Sequence, residues 1–395
     1  MDEIKQVNEL PVLTYRFLQV NGATLPDVFA QQPVTAEGAG EEEIPAVRGV
    51  HASSDPAAQE RIRVLCREVR SAIRQKEAVG QVIAPNGDTT ARHEAQRIRT
   101  GMGIEIDRLM EAGGIPTGLL ETEAGVQVQD PLVLSVTPAE TGLRLIRRFI
   151  HVAEGSSLTV VIDTKGQEET TAAAIGEQTC FVVEKDAQLT LAVSQMLPQS
   201  VACFHDIGGV CLENGTVRIT QLAIGSGRSY QGVQIELAGD GAQSEDTTGM
   251  LVRGEDLCDM NYVVVQRGRD TRSLMQQNGV LLDHAVKNFR GTIDFRLGSA
   301  GSAGDEQEDV LLLSPEVTNR TMPVILCQEE DVDGRHGATL GDLAEEVLFY
   351  MASRGIDEEE ARRLVIRSRL LSVARQIPDP ALMVRVERQI RSILR

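Results

Sequence analysis

A short motif returns along the middle of the chain at a nearly constant interval. Glu154-Gly155-Ser156-Ser157-Leu158-Thr159-Val160-Val161 is matched by Lys185-Asp186-Ala187-Gln188-Leu189-Thr190-Leu191-Ala192 and by Glu213-Asn214-Gly215-Thr216-Val217-Arg218-Ile219-Thr220. Each copy is a polar turn of Gly, Asn or Asp followed by alternating apolar residues, the pattern of a strand with a buried face. Leu158, Leu189 and Val217 hold the same place and lie 31 and 28 residues apart. Gly239-Asp240-Gly241 opens a degenerate fourth copy. A period between about 20 and 50 residues points to stacked units, each burying its neighbour's open face. Each unit has room for two or three short strands and no helix. The expected fold is therefore mainly β, a right-handed parallel β-helix flanked by α-helical regions. A β-sandwich of similar hairpins is the alternative, but it gives no reason for a near-constant period.

The flanks differ in texture. Residues 1–124 are expected to be mainly helical, with a mobile segment near 31–55 rich in Ala, Gly, Glu and Pro. Asp55-Pro56 reads as an N-cap followed by proline at the first helical position, with Leu65, Val69 and Ile73 at helical spacing behind it. A second helix is expected over Thr90–Ala112, interrupted by Gly101 and Gly103. Residues 125–337 form the β core and 338–395 a helical end. There Asp342 is read as a cap, Asp357 and Glu360 as a capping box, and Asp379-Pro380 as the start of the last helix. Nine arginines and two acids lie between Ala361 and Arg395. Arginines late in helices complement the helix dipole. A basic face for an acidic partner is the competing reading.

The formal net charge of −19 opposes general nucleic-acid binding and docking on an anionic membrane. No apolar run is long enough to span a bilayer, and the first ten residues are polar, so the expected location is cytoplasmic. None of the six cysteines forms a C-x-x-C pair, which leaves most of them as small buried hydrophobes. There is no phosphate-binding loop of the G-x-x-x-x-G-K-[ST] type, so no nucleotide is expected on this chain. Cys203 and His205 share one face of a strand and are weighed as a thiolate pair against two core residues. Carbohydrate cleavage by a β-helix would call for paired acids and aromatic platforms. Trp is absent and only eight Phe and four Tyr occur.

The densest chemistry lies near the end of the β region. Cys327, Glu329, Glu330, Asp331, Asp333 and His336 bring a thiol, four carboxylates and an imidazole within ten residues, ligand types that iron accepts. A solvated acidic turn with an incidental histidine is the plain alternative.

Other segments carry a resemblance. His336-Gly337-Ala338-Thr339-Leu340-Gly341, Leu348-Phe349-Tyr350, Ser353-Arg354-Gly355-Ile356 and Ala361 resemble the C-terminal signature of the SufB/SufD family of iron–sulfur cluster assembly proteins. Gln307 with Leu311-Leu312-Leu313-Ser314, the segment Phe289-Arg290-Gly291-Thr292-Ile293, and the opening from Leu10-Pro11 to Val20-Asn21 resemble further family segments. His336-Gly337-Ala338-Thr339 is similar to the SufD form. Glu308 stands where SufB carries a cysteine, and Gly334 where SufD often has one.

The resemblance implies a parallel β-helix and a non-enzymatic scaffold working with a SufB-like subunit and a SufC-like ATPase, or alternatively a self-sufficient homodimer. It implies a transient iron–sulfur cluster or iron at a subunit interface, with His336 the tentative metal ligand. It also implies ATPase docking on the C-terminal helices, for which Phe349, Tyr350, Arg354 and Gly355 are the candidates.

Overall fold

In the computed structural model, which describes residues 6–12, 20–30, 44–78, 97–166 and 173–393, consecutive strands alternate between two long sheets. One sheet has nine strands, in the order β1 (Val50–Ser53), β2 (Thr117–Thr122), β4 (Gly142–Val152), β6 (Ala173–Val183), β8 (Val201–Cys211), β10 (Arg228–Leu237), β12 (Leu257–Gln266), β14 (Val286–Phe295) and β16 (Thr318–Cys327). The other has eight, in the order β17 (Val332–Gly341), β15 (Ser302–Leu312), β13 (Arg272–Leu281), β11 (Gln243–Val252), β9 (Thr216–Gly225), β7 (Gln188–Leu197), β5 (Ser157–Lys165) and β3 (Leu132–Val136). Every pairing is parallel except β1 (Val50–Ser53) against β2 (Thr117–Thr122). This is the parallel β-helix expected from the repeat, with five described helices on its flanks. Leu158 of β5 (Ser157–Lys165), Leu189 of β7 (Gln188–Leu197) and Val217 of β9 (Thr216–Gly225) lie in register, buried in the lumen core.

The turn residues of the repeat have a common task. Gly155, Asp186, Asn214, Gly241, Asp270 and Gly301 all have φ between 52° and 77°, the left-handed region. They sit at the same corner of successive coils. Each donates its backbone N–H to a carbonyl one coil further on, Gly155 to Lys185, Asp186 to Glu213 and Asn214 to Asp240, at 2.9 Å in each case. Left-handed geometry is costly for most L-residues and accessible to Gly, Asn and Asp, which explains the turn composition.

Both faces of both sheets are covered over most of the stack, short of β16 and β17. Inside, Leu, Val and Ile from successive coils fill the lumen. The outer face of the eight-stranded sheet is covered by α4 (Glu358–Ala374) and α5 (Pro380–Ile393), through Ile366, Leu370, Leu382 and Val386. The outer face of the nine-stranded sheet carries α1 (Pro56–Ala78), α2 (Ile104–Ala112) and the 3-10 turn Asp27–Ala30. Asp55 caps α1 by accepting from Ala58 N–H at 2.6 Å. Asp357 caps α4 through Glu360 N–H at 2.9 Å. Most C-terminal arginines are spent within the chain: Arg362 pairs with Asp342, Arg363 with Glu359, Arg367 and Arg391 with Glu387, Arg369 with Asp309, and Arg385 with Asp163.

Several expectations are corrected. The second N-terminal helix starts at Ile104, not Thr90, and residues 90–96 lie outside the described ones. Gly101 is no helix interruption: a Cβ there would lie 1.9 Å from Val233 N, because the backbone at Arg99–Met102 lies flat on the sheet against Gly208 and Gly232. Residues 31–43 lie outside the described ones, while 50–53 form β1. The coils extend past both expected ends, from β2 at Thr117 to β17 (Val332–Gly341). The glycine-rich sequence of β17 hid a strand inside what read as a junction. Asp342 does not cap α3 (Glu345–Ser353): Ala344 stands at its N-cap, and Asp342 accepts from Leu343 N–H instead.

The lumen is not wholly apolar. Arg148 and Glu177 form an ion pair at 2.7 Å with both side chains buried. Burial pushes Glu177 up, but Arg148 and then His205 more than offset it, leaving this carboxyl below its usual value. Further along, Tyr262 O–H donates to Gln231 at 2.8 Å and accepts from Gln221 at 2.7 Å. Asp246 lies beside them and is pushed up to about 7 by burial. Asp206, under α2, is pushed to about 7 in the same way.

Two measurements test this account. Asp206 and Asp246 bind protons more tightly folded than unfolded, so their stabilising effect is complete below about pH 4 and is lost as pH rises through about 7. Stability is expected to fall between about pH 4 and 7, by at most about 1.4 kcal/mol per unit per group, and to level off above that. Asp246→Asn should flatten that slope in urea titrations, and an unchanged slope would refute the assignment. Asn214→Ile should cost about 1–3 kcal/mol at its left-handed corner, and Asn214→Gly less than about 1. Equal losses would show that the corner conformation carries no cost.

Candidate functional site at the open coil end

The two ends of the coil stack are unlike. At the first, Ile44, Val47 and Val50 pack against the lumen core and β1 pairs with β2. At the last, β16 (Thr318–Cys327) bonds only to β14 (Val286–Phe295), and β17 only to β15 (Ser302–Leu312). Both leave one ladder of backbone groups unpaired within the chain.

Strand alternation places His336 on the lumen side of β17. Side chains two apart share a face. Gly334 faces inward, since a Cβ there would meet Phe295 at 3.1 Å and Ile325 at 3.2 Å. His336 lies in register with Glu306 of the coil beneath, and Ala338 with Glu308. The histidine is exposed because no further coil covers it. It therefore sits within a strand, not at a strand-to-helix junction.

The layer beneath holds charge that sequence reasoning missed. Lys287 Nζ is fully buried, bonded to Glu308, and donates to Asn319 Oδ1 at 3.0 Å and Thr321 Oγ1 at 3.1 Å. It also lies 5.4 Å from the centre of the Phe289 ring. Burial pushes Lys287 down, and Glu308 offsets part of that. Glu306 is pushed up to about 7 by burial and then by the Glu308 charge. Gly291 makes room for it, since a Cβ there would lie 2.3 Å from Glu306 Oε2. Thus Phe289, Gly291 and Ile293 point inward, and the glycine between two bulky residues is a carboxylate's seat. The legible signal was alternation: Glu306 and Glu308 are two apart, in phase with the lumen residue Val310.

The other sequence-predicted residues do not gather around His336. Cys327 ends β16 and is exposed, in register with Phe295. Glu329 accepts from Gly298 and Glu330 N–H groups at 3.0 Å, which hold its carboxyl below the usual range. Asp333 is engaged by Arg335 through two contacts, at 3.1 and 2.5 Å. Glu330 and Asp331 are exposed on the turn, where Asp331 O accepts from Gly301 N–H. Among the described residues no three of His, Cys, Asp and Glu converge to hold a metal ion. Cys203 and His205 are both buried. Cys203 Sγ donates to Ser226 at 3.5 Å, and burial pushes its thiol up to about 11, so the pair makes no activated thiolate.

The helix that follows β17 presents a bare surface. On α3, Phe349 is 77% and Tyr350 59% exposed. The Arg354 guanidinium lies 5.3 Å from the Tyr350 ring, and Gly355, with φ 82°, turns the chain out of the helix.

Comparison with known proteins gives a consistent answer. Residues 136–369 match the family model described as the SUF system FeS cluster assembly SufBD core domain. The chain is 26% identical over 260 residues to the iron–sulfur cluster assembly protein SufD of Bacillus subtilis, covering 64% of this chain and 58% of that protein. It is 23% identical over 232 residues to an iron–sulfur cluster assembly SufBD family protein of Staphylococcus saprophyticus, covering 59% of this chain and 50% of that one. The chain thus spans between a half and three fifths of the length of these two relatives.

The Lys287–Glu308 contact is open to direct test. Lys287→Met leaves a buried carboxylate without its cation and is expected to cost about 3–5 kcal/mol. Adding Glu308→Gln should recover at least half of that in urea denaturation. A single-variant loss below about 1 kcal/mol would mean that the pair is not buried as described.

Proposed function

Because the chain belongs to the SufBD core family of iron–sulfur cluster assembly proteins, we propose that it serves as a SufD-like scaffold subunit that carries out no reaction of its own. The observation that carries this reading is the open coil end. Two unpaired strand edges, β16 and β17, flank a lumen in which exposed His336 stands one coil above Glu306 and Glu308. Unpaired edges favour addition of further strands. A SufB-like solenoid meeting this end would continue both sheets and bring its own ligands to His336. No ligand cluster is complete within the described residues, and a site shared between two subunits needs none. The nascent cluster is then cargo held at the junction. Its release is driven by a SufC-like ATPase seated on α3, where Val347, Phe349 and Tyr350 are exposed. Large exposed aromatics of this kind are typical binding anchors. The complex is expected to work in the cytoplasm.

Anaerobic co-expression with SufB-like and SufC-like chains tests the proposal. A stable three-component complex should form and carry iron and sulfide. His336→Ala should leave assembly intact and lower bound iron by about tenfold, the scale on which metal sites respond to lost ligand support. Replacing both Phe349 and Tyr350, exposed on α3, by alanine should abolish ATPase binding while leaving the fold intact. A self-sufficient scaffold would instead assemble as a homodimer that loads clusters without a SufB-like chain. Normal loading by the His336→Ala complex would overturn the site assignment.

A further inference from the structure

A cavity lies between the C-terminal helix and the corner where β5 and β7 end, on the outer face of the eight-stranded sheet. It measures about 490 Å³, within the range of small-molecule sites. Four cations line it: Lys165, Arg253, Arg385 and Arg388. Among the described residues no carboxylate lines it, in a chain whose net charge is −19. Gln199 and Gln389 supply neutral polar groups at its wall.

The cations are only partly compensated. Asp163 is fully buried beneath the cavity, and its Oδ2 accepts from Arg385 at 2.6 Å and from Lys165 at 3.4 Å. One carboxylate thus answers two cations. The buried Nε of Arg385 has no hydrogen-bond acceptor among the described residues. Arg388 stands exposed on the same face of α5 as Arg385 and, among the described residues, has no ion-pair partner. Arg253 feels the Asp256 carboxylate, which Gln199 engages through its amide at 3.2 and 3.3 Å. Ion pairs within the chain absorb most of the other C-terminal arginines, so the excess charge here is local.

We propose that this cavity is a binding site for a small oxyanion carrying several negative charges. Guanidinium forks match the geometry of phosphate and carboxylate groups, and several of them around one concave space select a multivalent anion over chloride. Arg385 is held in place by Asp163 and presents its remaining donors, while Arg253 and Arg388 add their guanidinium groups from the cavity lining. Phosphate esters and polycarboxylates share this chemistry. The site lies apart from the open coil end, and its occupancy does not depend on cluster assembly.

Titration calorimetry on the full chain tests the proposal, with pyrophosphate and citrate as separate probes at constant ionic strength. At least one should bind saturably, with a dissociation constant below about 1 mM. Preference for pyrophosphate identifies a phosphate ligand, and preference for citrate a polycarboxylate. The double variant Arg253→Gln/Arg388→Gln should weaken binding by about tenfold or more while leaving the far-ultraviolet spectrum and urea midpoint unchanged. Arg375→Gln, which removes the same type of charge outside the cavity, should change affinity by less than about twofold. Arg385 is left in place because removing it would strand the buried Asp163. Absence of saturable binding by both probes would overturn the proposal, and so would equal weakening by Arg375→Gln.

Discussion

The left-handed corner residue is the constraint on which the rest depends. A chain that alternates between two facing sheets must turn sharply at fixed intervals, and at one edge it does so with a positive φ in coil after coil. The N–H released by that geometry points along the stack and finds a carbonyl of the next coil. The corner therefore sets three things at once: where a strand ends, which face its residues present, and how coils register. A one-residue slip would turn the apolar set outward. Gly, Asn and Asp recur here because they reach this conformation at low cost.

This is also why the fold was legible and the interior was not. The corners repeat in sequence, and Leu158, Leu189 and Val217 follow them at fixed offset, so the stack could be read. Most strands, however, are covered on both faces, by the lumen on one side and helices on the other. The period-2 signal weakens accordingly. Glu177, His205, Lys287 and Glu306 look like solvent positions in such a pattern, yet they line the lumen. Alternation in phase with Val310 marks Glu306, but it does not say what answers a buried charge; only contact between distant strands shows that Glu177 has Arg148 to answer it. His336 was legible as a residue type in a resembling segment. Its place on the inner face of a strand was not, because the glycines around it read as a loop.

The distribution of charge follows a similar logic. A chain this acidic could place its arginines anywhere on the surface. Instead the C-terminal helices use theirs to reach acids on the sheet and on one another, Asp309 and Asp163 among them. The basic texture of the tail is mainly an internal fastening. Part of what remains unanswered among the described residues gathers at one cavity, where the same fastening through Asp163 holds an arginine ready for a second anion.

The unequal ends of the stack bear on how large an assembly can grow. A solenoid open at both ends would add copies head to tail without limit, as heterologous contacts do. Here Ile44, Val47, Val50 and the antiparallel β1 cover the lumen at the first end, so among the described residues the parallel stack is left open for continuation at β16 and β17. When that end meets another of its kind, both growing points are consumed. On the proposed reading association then stops at two, and a molecule with long exposed edges escapes becoming a fibre because its two ends do not match.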